Sequence, residues 1–240
     1  MNPIVLIPAR MAATRLPGKP LADIGGVPMV VRVMRQALAA GVGPVVVAAG
    51  DPEIVEAVEA AGGQAMATDP DLPSGSDRIL AALDRLDPDG RHDAVINLQG
   101  DMPFADPAIV RATTRLLAEQ PSCDIATIVA PEDTPEDRAN PDVVKAVIAG
   151  DGRALYFTRS TLYGDQPVLR HVGIYGYRRA ALRAFNAAAP SPLERREKLE
   201  QLRAMELGLS IWAAPAAAAP ISVDSPADLE RARQYARTLT

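Results

Sequence analysis

The sequence predicts an α/β fold: a mostly parallel, doubly wound sheet carrying an antiparallel extension. Three observations predict it. Residues 4–8, 45–49 and 94–98 are short β-branched apolar runs without alternation, as in strands covered on both faces. Helical periods separate them, which gives right-handed βαβ units. After about residue 123 the rhythm becomes strand after strand, at 124–130, 143–149, 154–158 and 171–177, read as antiparallel addition to one side.

The helices carry their own start and stop signals. The segment 28–40 opens on a proline, repeats apolar side chains at Met29, Val30, Val33 and Ala37, and ends at Gly41. Pro52 opens 52–61, which stops at Gly62-Gly63. Ser76 is the predicted N-cap of 76–86, and 107–119 continues the alternation. Helix returns at 182–186 and 193–207. The Ala/Pro stretch 213–220 reads as an irregular connection without chemistry. A late strand at 221–223 then precedes a capping box, with Ser225 as N-cap, Pro226 first in the helix and Asp228 as acidic partner. No repeat or linker divides the chain, so one domain over residues 1–240 is expected, organised as 1–122, 123–222 and a C-terminal helix at 223–240.

Composition excludes several function classes. The 240 residues are 48% hydrophobic and 23% charged, enough for a sizeable core. The net charge of −5 gives no electrostatic footprint for nucleic acid or an anionic membrane. The single Cys123 forms no intrachain disulfide, which fits a reducing compartment. No apolar run approaches the roughly 20 residues that span a bilayer, and the N-terminus lacks a signal pattern, so a soluble cytoplasmic protein is expected.

The residues with chemistry lie at predicted strand ends. Arg10, Arg15 and Lys19 follow the first strand directly, in a loop stiffened by Pro17 and Pro20 and turned at Gly18. In open α/β sheets ligands lie beyond the carboxyl ends of strands, and guanidinium and ammonium groups there suit a polyphosphate. Neither G-x-G-x-x-G nor the Walker spacing is present, which disfavours a dinucleotide dehydrogenase or a P-loop ATPase. Asp101 follows Gln99-Gly100 at the end of the strand 94–98, and Asp224 follows 221–223. Hard carboxylates at these positions suit Mg²⁺, although a turn or a helix start would also place them there. Ser74, Gly75 and Arg78 stand where a small-residue loop runs into a helix, fit to read a base edge or to cap. Alternation puts His171, Gly173, Tyr175 and Tyr177 on one strand face, a sugar platform or a half-exposed sheet face. With two histidines in the chain and Cys123 distant, zinc is not expected.

Together these residues resemble the 3-deoxy-manno-octulosonate (Kdo) cytidylyltransferase family, the CMP-Kdo synthetases of lipopolysaccharide biosynthesis. The matching pieces are IPARMAATRLPGKPL within residues 4–21, SGSDR at 74–78, NLQGDMP at 97–103, ALYFTR at 154–159 and RHVGIYGYR at 170–178. SPLE at 191–194, LEQLR at 199–203 and VDSPADLERAR at 223–233 follow in the family's order. The resemblance implies a Rossmann-like nucleotidyltransferase (nucleotide-diphospho-sugar transferase) sheet, with residues 1–122 mainly binding CTP and 123–222 binding sugar and forming a homodimer. It implies CTP plus Kdo giving CMP-Kdo and pyrophosphate. Ala9, Arg10, Arg15, Lys19, Ser74, Gly75, Arg78 and Gln99 would bind CTP, with Arg10, Lys19 and Asp101 carrying catalysis. Asp101 and Asp224 would hold Mg²⁺. Arg159, His171, Tyr175, Glu200 and Gln201 would line the sugar pocket.

This chain departs from the family pattern at several positions. Met102 replaces a usual Glu, Ser76 a Thr, and Gly50 an Asp that is followed here by Asp51. The segment between Arg159 and Arg170 is short and carries Leu162-Tyr163 in place of a Pro-aromatic pair. That leaves 8-amino-Kdo or a sialic acid as alternative sugars, and a non-catalytic nucleotide-sugar sensor as an alternative class.

Overall fold

The structure, a computed structural model, describes residues 1–12, 15–132, 134–164 and 167–239. Ala13 and Thr14 of the first motif, and residues 165–166 of the short segment before Arg170, lie outside the described residues. The chain forms two compact units, one of residues 1–111 and 220–240, the other of 112–219.

In the first unit β1 (Pro3–Ala9) leads through a 3₁₀ turn (Lys19–Leu21) and a small hairpin of β2 (Asp23–Ile24) and β3 (Val27–Pro28) to α1 (Met29–Ala40). Then come β4 (Val45–Ala49), α2 (Pro52–Ala60), β5 (Ala65–Ala67), α3 (Gly75–Leu86) and β6 (Ala94–Leu98). β6, β1, β4 and β5 pair in that order, all parallel. β1, β4 and β6 are buried along almost their whole length, which explains their unbroken apolar runs. The predicted glycine stop of α1 is present, with Gly41 at φ 65°. The N-cap of α3 is Ser74, whose hydroxyl accepts from the Asp77 N–H, and not Ser76, which is buried two residues further on. Both serines suit a cap; the extended backbone at 74 decides between them.

The helix α4 (Pro107–Glu119) contains the boundary between the units. The second unit holds β7 (Ile125–Glu132), α5 (Pro135–Ala139), β8 (Lys145–Ile148), β9 (Ala154–Thr158), β10 (Val168–Arg178), α6 (Arg179–Ala187), α7 (Pro192–Glu197), α8 (Gln201–Glu206) and β11 (Ile211–Pro215). β7–β10, β10–β8 and β8–β9 pair antiparallel, as the change of rhythm after residue 123 predicts. β11 corrects the reading of 213–220 as irregular throughout: it pairs parallel with β7, and tertiary pairing overrides the weak strand preference of alanine. The helix predicted at 193–207 is two short helices, broken where Lys198 takes φ 56°.

A buried ion pair ties three of these helices together. Arg203 Nε and Nη2 donate to the two carboxylate oxygens of Glu194, each at 2.7 Å. Its Nη1 reaches the Phe185 carbonyl at the end of α6, and the guanidinium lies 4.4 Å from the Phe185 ring centroid. The Ser191–Glu194 capping box fixes the same carboxylate.

The chain re-enters the first unit at residue 220 and ends in α9 (Pro226–Thr238), with the predicted Ser225–Asp228 capping box. Residues 221–223 are not the predicted strand. Val223 instead donates its N–H to the Asp101 carbonyl at 2.9 Å. Val223, Leu229, Ala232 and Ala236 pack with Ile24 and Met29 in one buried cluster, which anchors the chain on both sides of Asp224. No helix among the described residues is long and apolar enough to cross a membrane.

Candidate active site

Beyond the carboxyl ends of β1 and β6 lies a cleft of about 250 Å³. Ala9, Arg10, Lys19, Ser74, Gly75, Arg78, Gln99 and Asp101 line it, together with Pro8, Ala12, Pro20 and Gly100. The first eight are sequence-predicted positions. The other four are scaffold, and of these Gly100 carried a readable signal. A Cβ at Gly100 would stand 2.9 Å from the Pro8 carbonyl oxygen, so only glycine lets the turn after β6 approach β1 this closely.

The loop after β1 is shaped by its own backbone. Gly18, at φ 70°, donates its N–H to the Met11 carbonyl and starts the 3₁₀ turn that aims Lys19. Asp51 accepts from the Met11 N–H at 2.7 Å, so the carboxylate one residue past Gly50 tethers this loop. In the sequence Asp51 is visible only as the carboxylate that follows Gly50.

Lys19 is the centre of the charge arrangement. Its ammonium lies 3.2 Å from Asp101 Oδ2 and 3.1 Å from Asp224 Oδ1. Arg15 reaches the same Asp224 oxygen at 3.2 Å. Two carboxylates distant in sequence thus share one cation, and the Val223–Asp101 backbone bond holds them in register. Burial pushes the Asp101 carboxyl above its ordinary range and the Asp224 charge adds to this, while Lys19 opposes both.

These aspartates fit a divalent cation of the Mg²⁺ kind. Among the described residues no third His, Cys, Asp or Glu joins them. Two hard oxygen donors beside a cleft lined by Arg10, Lys19 and Arg78 would leave further coordination to water and phosphate, as Mg²⁺ prefers. Met102, where the resemblance expects Glu, is 3% exposed and packs as an apolar side chain.

The other predicted nucleotide contacts divide into presented groups and scaffold. Arg78 is buried, with Nη1 on Thr68 Oγ1 at 2.6 Å and on the Asp69 carbonyl, and Nη2 on the Pro70 carbonyl. Burial, then the nearby Arg10 charge, lowers its pKa from the usual arginine value. Ser74 spends its hydroxyl on capping α3. Both therefore build the cleft wall, whereas Arg10 gives one donor to the Leu72 carbonyl and, among the described residues, keeps the others. Gln99 donates Nε2 to Asn97 and has no partner on Oε1 among the described residues. The N-terminus of α3 adds backbone N–H groups at Gly75, a favourable place for an anion.

The predicted sugar group lies in the second unit. His171, Tyr175 and Tyr177 form a row of rings, with centroids 5.4 and 5.8 Å apart, and Phe157 meets His171 at 4.9 Å. The predicted single face is therefore present, across a register shift between Val172 and Tyr175. Thr127 Oγ1 lies 2.8 Å from the Ile174 carbonyl and 3.0 Å from His171 Nε2. If its hydrogen goes to the carbonyl, its lone pair accepts from the imidazole N–H. Burial pushes His171 down to about 4, so it is neutral at pH 7. The Tyr175 hydroxyl is pushed well above its usual value by burial, then by the charges of Tyr177 and Glu200. Gln201 is 6% exposed, and its Nε2 has no acceptor among the described residues. A buried donor left open is a reason to expect a ligand oxygen. Arg159 is held by carbonyls of Glu197 and Pro141.

Fold and cleft together define a protein of the nucleotidyltransferase class. A family described as cytidylyltransferase matches residues 4–211. A Parvibaculum lavamentivorans protein named 3-deoxy-manno-octulosonate cytidylyltransferase is 56% identical over 97% of this chain and 92% of its own. One of the same name from Rhodospirillum rubrum is 56% identical over 96% and 94%. The chain belongs to the 3-deoxy-manno-octulosonate cytidylyltransferase family. A solved CMP:2-keto-3-deoxy-manno-octonic acid synthetase complexed with CTP superposes over 100% of both chains, with TM-score 0.94 at 38% identity. A Leptospira borgpetersenii cytidylyltransferase, 18% identical with TM-score 0.66 over 97% of this chain and 85% of its own, shares the fold.

Proposed function

We propose that this chain transfers the cytidylyl group of CTP to Kdo, giving CMP-Kdo and pyrophosphate for lipopolysaccharide biosynthesis in the cytoplasm. The observation that carries the reading is the convergence of Asp101, Asp224 and Lys19 at the cleft beyond β1 and β6. Relatives named for this reaction, 56% identical over nearly the whole chain, support it. A homodimer through the antiparallel strands is part of the proposal; the exposed Leu155 and Tyr163 of that unit support it.

In this reading the anomeric hydroxyl of the sugar attacks the α-phosphorus in line and pyrophosphate leaves. No covalent enzyme intermediate is needed, so the chain contributes position and charge. Arg10, Arg15 and Lys19 bind the triphosphate and take up charge on the departing pyrophosphate. Ala9, Ser74, Gly75, Arg78 and Gln99 surround the cytidine. Asp101 and Asp224 would hold Mg²⁺, which would supply charge to polarise the α-phosphoryl group and acidify the attacking hydroxyl. Arg159 pairs with the sugar carboxylate, while neutral His171, Tyr175, Glu200 and Gln201 meet its hydroxyls.

Lys19→Ala removes a charged donor from the triphosphate. Its kcat/KM for CTP is expected to fall roughly 10–100-fold, the value of one charge-assisted hydrogen bond; unchanged CTP kinetics would remove Lys19 from the site. The function itself is tested by pyrophosphate release with Mg²⁺ and each of the four NTPs, with and without Kdo, 8-amino-Kdo or a sialic acid. Release requiring CTP and Kdo is expected. Preference for another sugar would move the substrate, and CTP binding with no turnover on any of them would favour the sensor.

A further inference from the structure

Lys145 opens β8 and is completely buried, yet it carries an ammonium. Its hydrogen bonds among the described residues go to two backbone carbonyls, Asn140 at 2.7 Å and Arg159 at 3.2 Å. Burial, then the Arg159 charge, lowers its pKa from the usual lysine value, and Asp137 opposes them. A buried charge without a bonded counter-ion is costly, and an apolar residue would fill this strand position more cheaply. What the ammonium holds is the backbone of Arg159.

The other side of residue 159 is held by the opposite charge. Glu197, at the end of α7, accepts from the Arg159 N–H and the Thr158 hydroxyl, each at 3.1 Å on Oε2. Its own carbonyl accepts from Arg159 Nε at 3.1 Å, and Arg159 Nη1 donates to the Pro141 carbonyl at 2.9 Å. One residue thus has its N–H on a carboxylate, its C=O on an ammonium, and its guanidinium plane fixed by two carbonyls. Among the described residues Nη2 bonds nothing and Nη1 bonds only the Pro141 carbonyl, so the guanidinium keeps donors for a carboxylate.

We propose that Lys145 and Glu197 are positioning residues that fix Arg159 so that its remaining guanidinium donors meet the carboxylate of the sugar acid. The proposal rests on the reading of Arg159 as the carboxylate-binding residue. Neither side chain touches substrate. Each acts through residue 159, and the strand and helix that carry them belong to the same unit.

The test is steady-state kinetics of the full chain with CTP and Kdo for Lys145→Met, Glu197→Gln and Arg159→Ala, and for the first two in the Arg159→Ala background. Arg159→Ala is expected to raise KM for Kdo on the order of 100-fold, and each positioning variant about tenfold, with KM for CTP moving less than about twofold. Once Arg159 is absent, neither variant should raise KM for Kdo further. A merely structural role predicts losses that persist in that background and fall on CTP as well; that result overturns the proposal. So does an unchanged KM for Kdo in both single variants when Arg159→Ala raises it. If Arg159→Ala itself leaves KM for Kdo unchanged, the reading of Arg159 has failed and the proposal with it. Should Lys145→Met not fold, Glu197→Gln, which keeps size and shape, decides the question alone.

Discussion

Asp101→Asn is expected to lower turnover by about 10²–10³ while the protein stays folded. The amide keeps the shape of the carboxylate and loses its charge, so it is a poor ligand for Mg²⁺ and a weaker partner for Lys19. The backbone around it is fixed independently, because the Asp101 carbonyl is bound by the Val223 N–H whatever side chain is present. Stability at neutral pH should not fall and can rise. The folded carboxyl is raised above its unfolded value chiefly by burial, so it costs stability increasingly as pH rises through the unfolded pKa and fully once pH exceeds the folded one. The check is kcat at saturating Mg²⁺, CTP and Kdo beside a thermal melt. Near-normal turnover would refute the role given to Asp101.

Glu194→Gln should have the largest effect on stability, about 3–5 kcal/mol, because it leaves the Arg203 guanidinium buried without its countercharge. The pH dependence has a definite sign. Burial pushes the Glu194 carboxyl up, but the Arg203 hydrogen bonds, the Ser191 N–H and the charges of Arg203 and Arg195 outweigh it, so the folded pKa lies below the ordinary carboxylate value. The stabilisation is complete above the unfolded pKa and is lost as pH falls through the folded one. Denaturant unfolding of both proteins should therefore show the full gap at pH 7, shrinking under acid. A gap that is small at pH 7, or that grows in acid, would contradict the ion-pair account.

Much of the first unit is legible in the sequence because its signals are local. Continuous apolar runs mark β1, β4 and β6, and prolines and glycines mark the ends of α1 and α2. The cationic loop is legible for the same reason: a strand followed at once by Arg10, Arg15 and Lys19 must place them at the sheet's carboxyl edge. That Lys19 would sit between Asp101 and Asp224 is not legible, since it depends on long-range contacts, the Val223 backbone bond and the packing of residues 223–236 on Ile24 and Met29. The three-residue β5 and the alanine-rich β11 are strands only because a neighbour pairs with them. The break at Lys198 has no glycine to announce it, and the Glu194–Arg203 pair falls inside what reads as one continuous helical period. Lys145 reads as a polar residue on a strand; its burial, and the carbonyls it holds, follow from the β8–β9 pairing.

The central claim is that Asp101 and Asp224 together hold the divalent ion against bound CTP. Mn²⁺ binding followed by electron paramagnetic resonance, with CTP present, tests it directly in the wild type, Asp101→Asn and Asp224→Asn. The account predicts one protein- and CTP-dependent bound Mn²⁺ signal in the wild type, lost or greatly weakened in each variant. Wild-type Mn²⁺ affinity in either variant would contradict it.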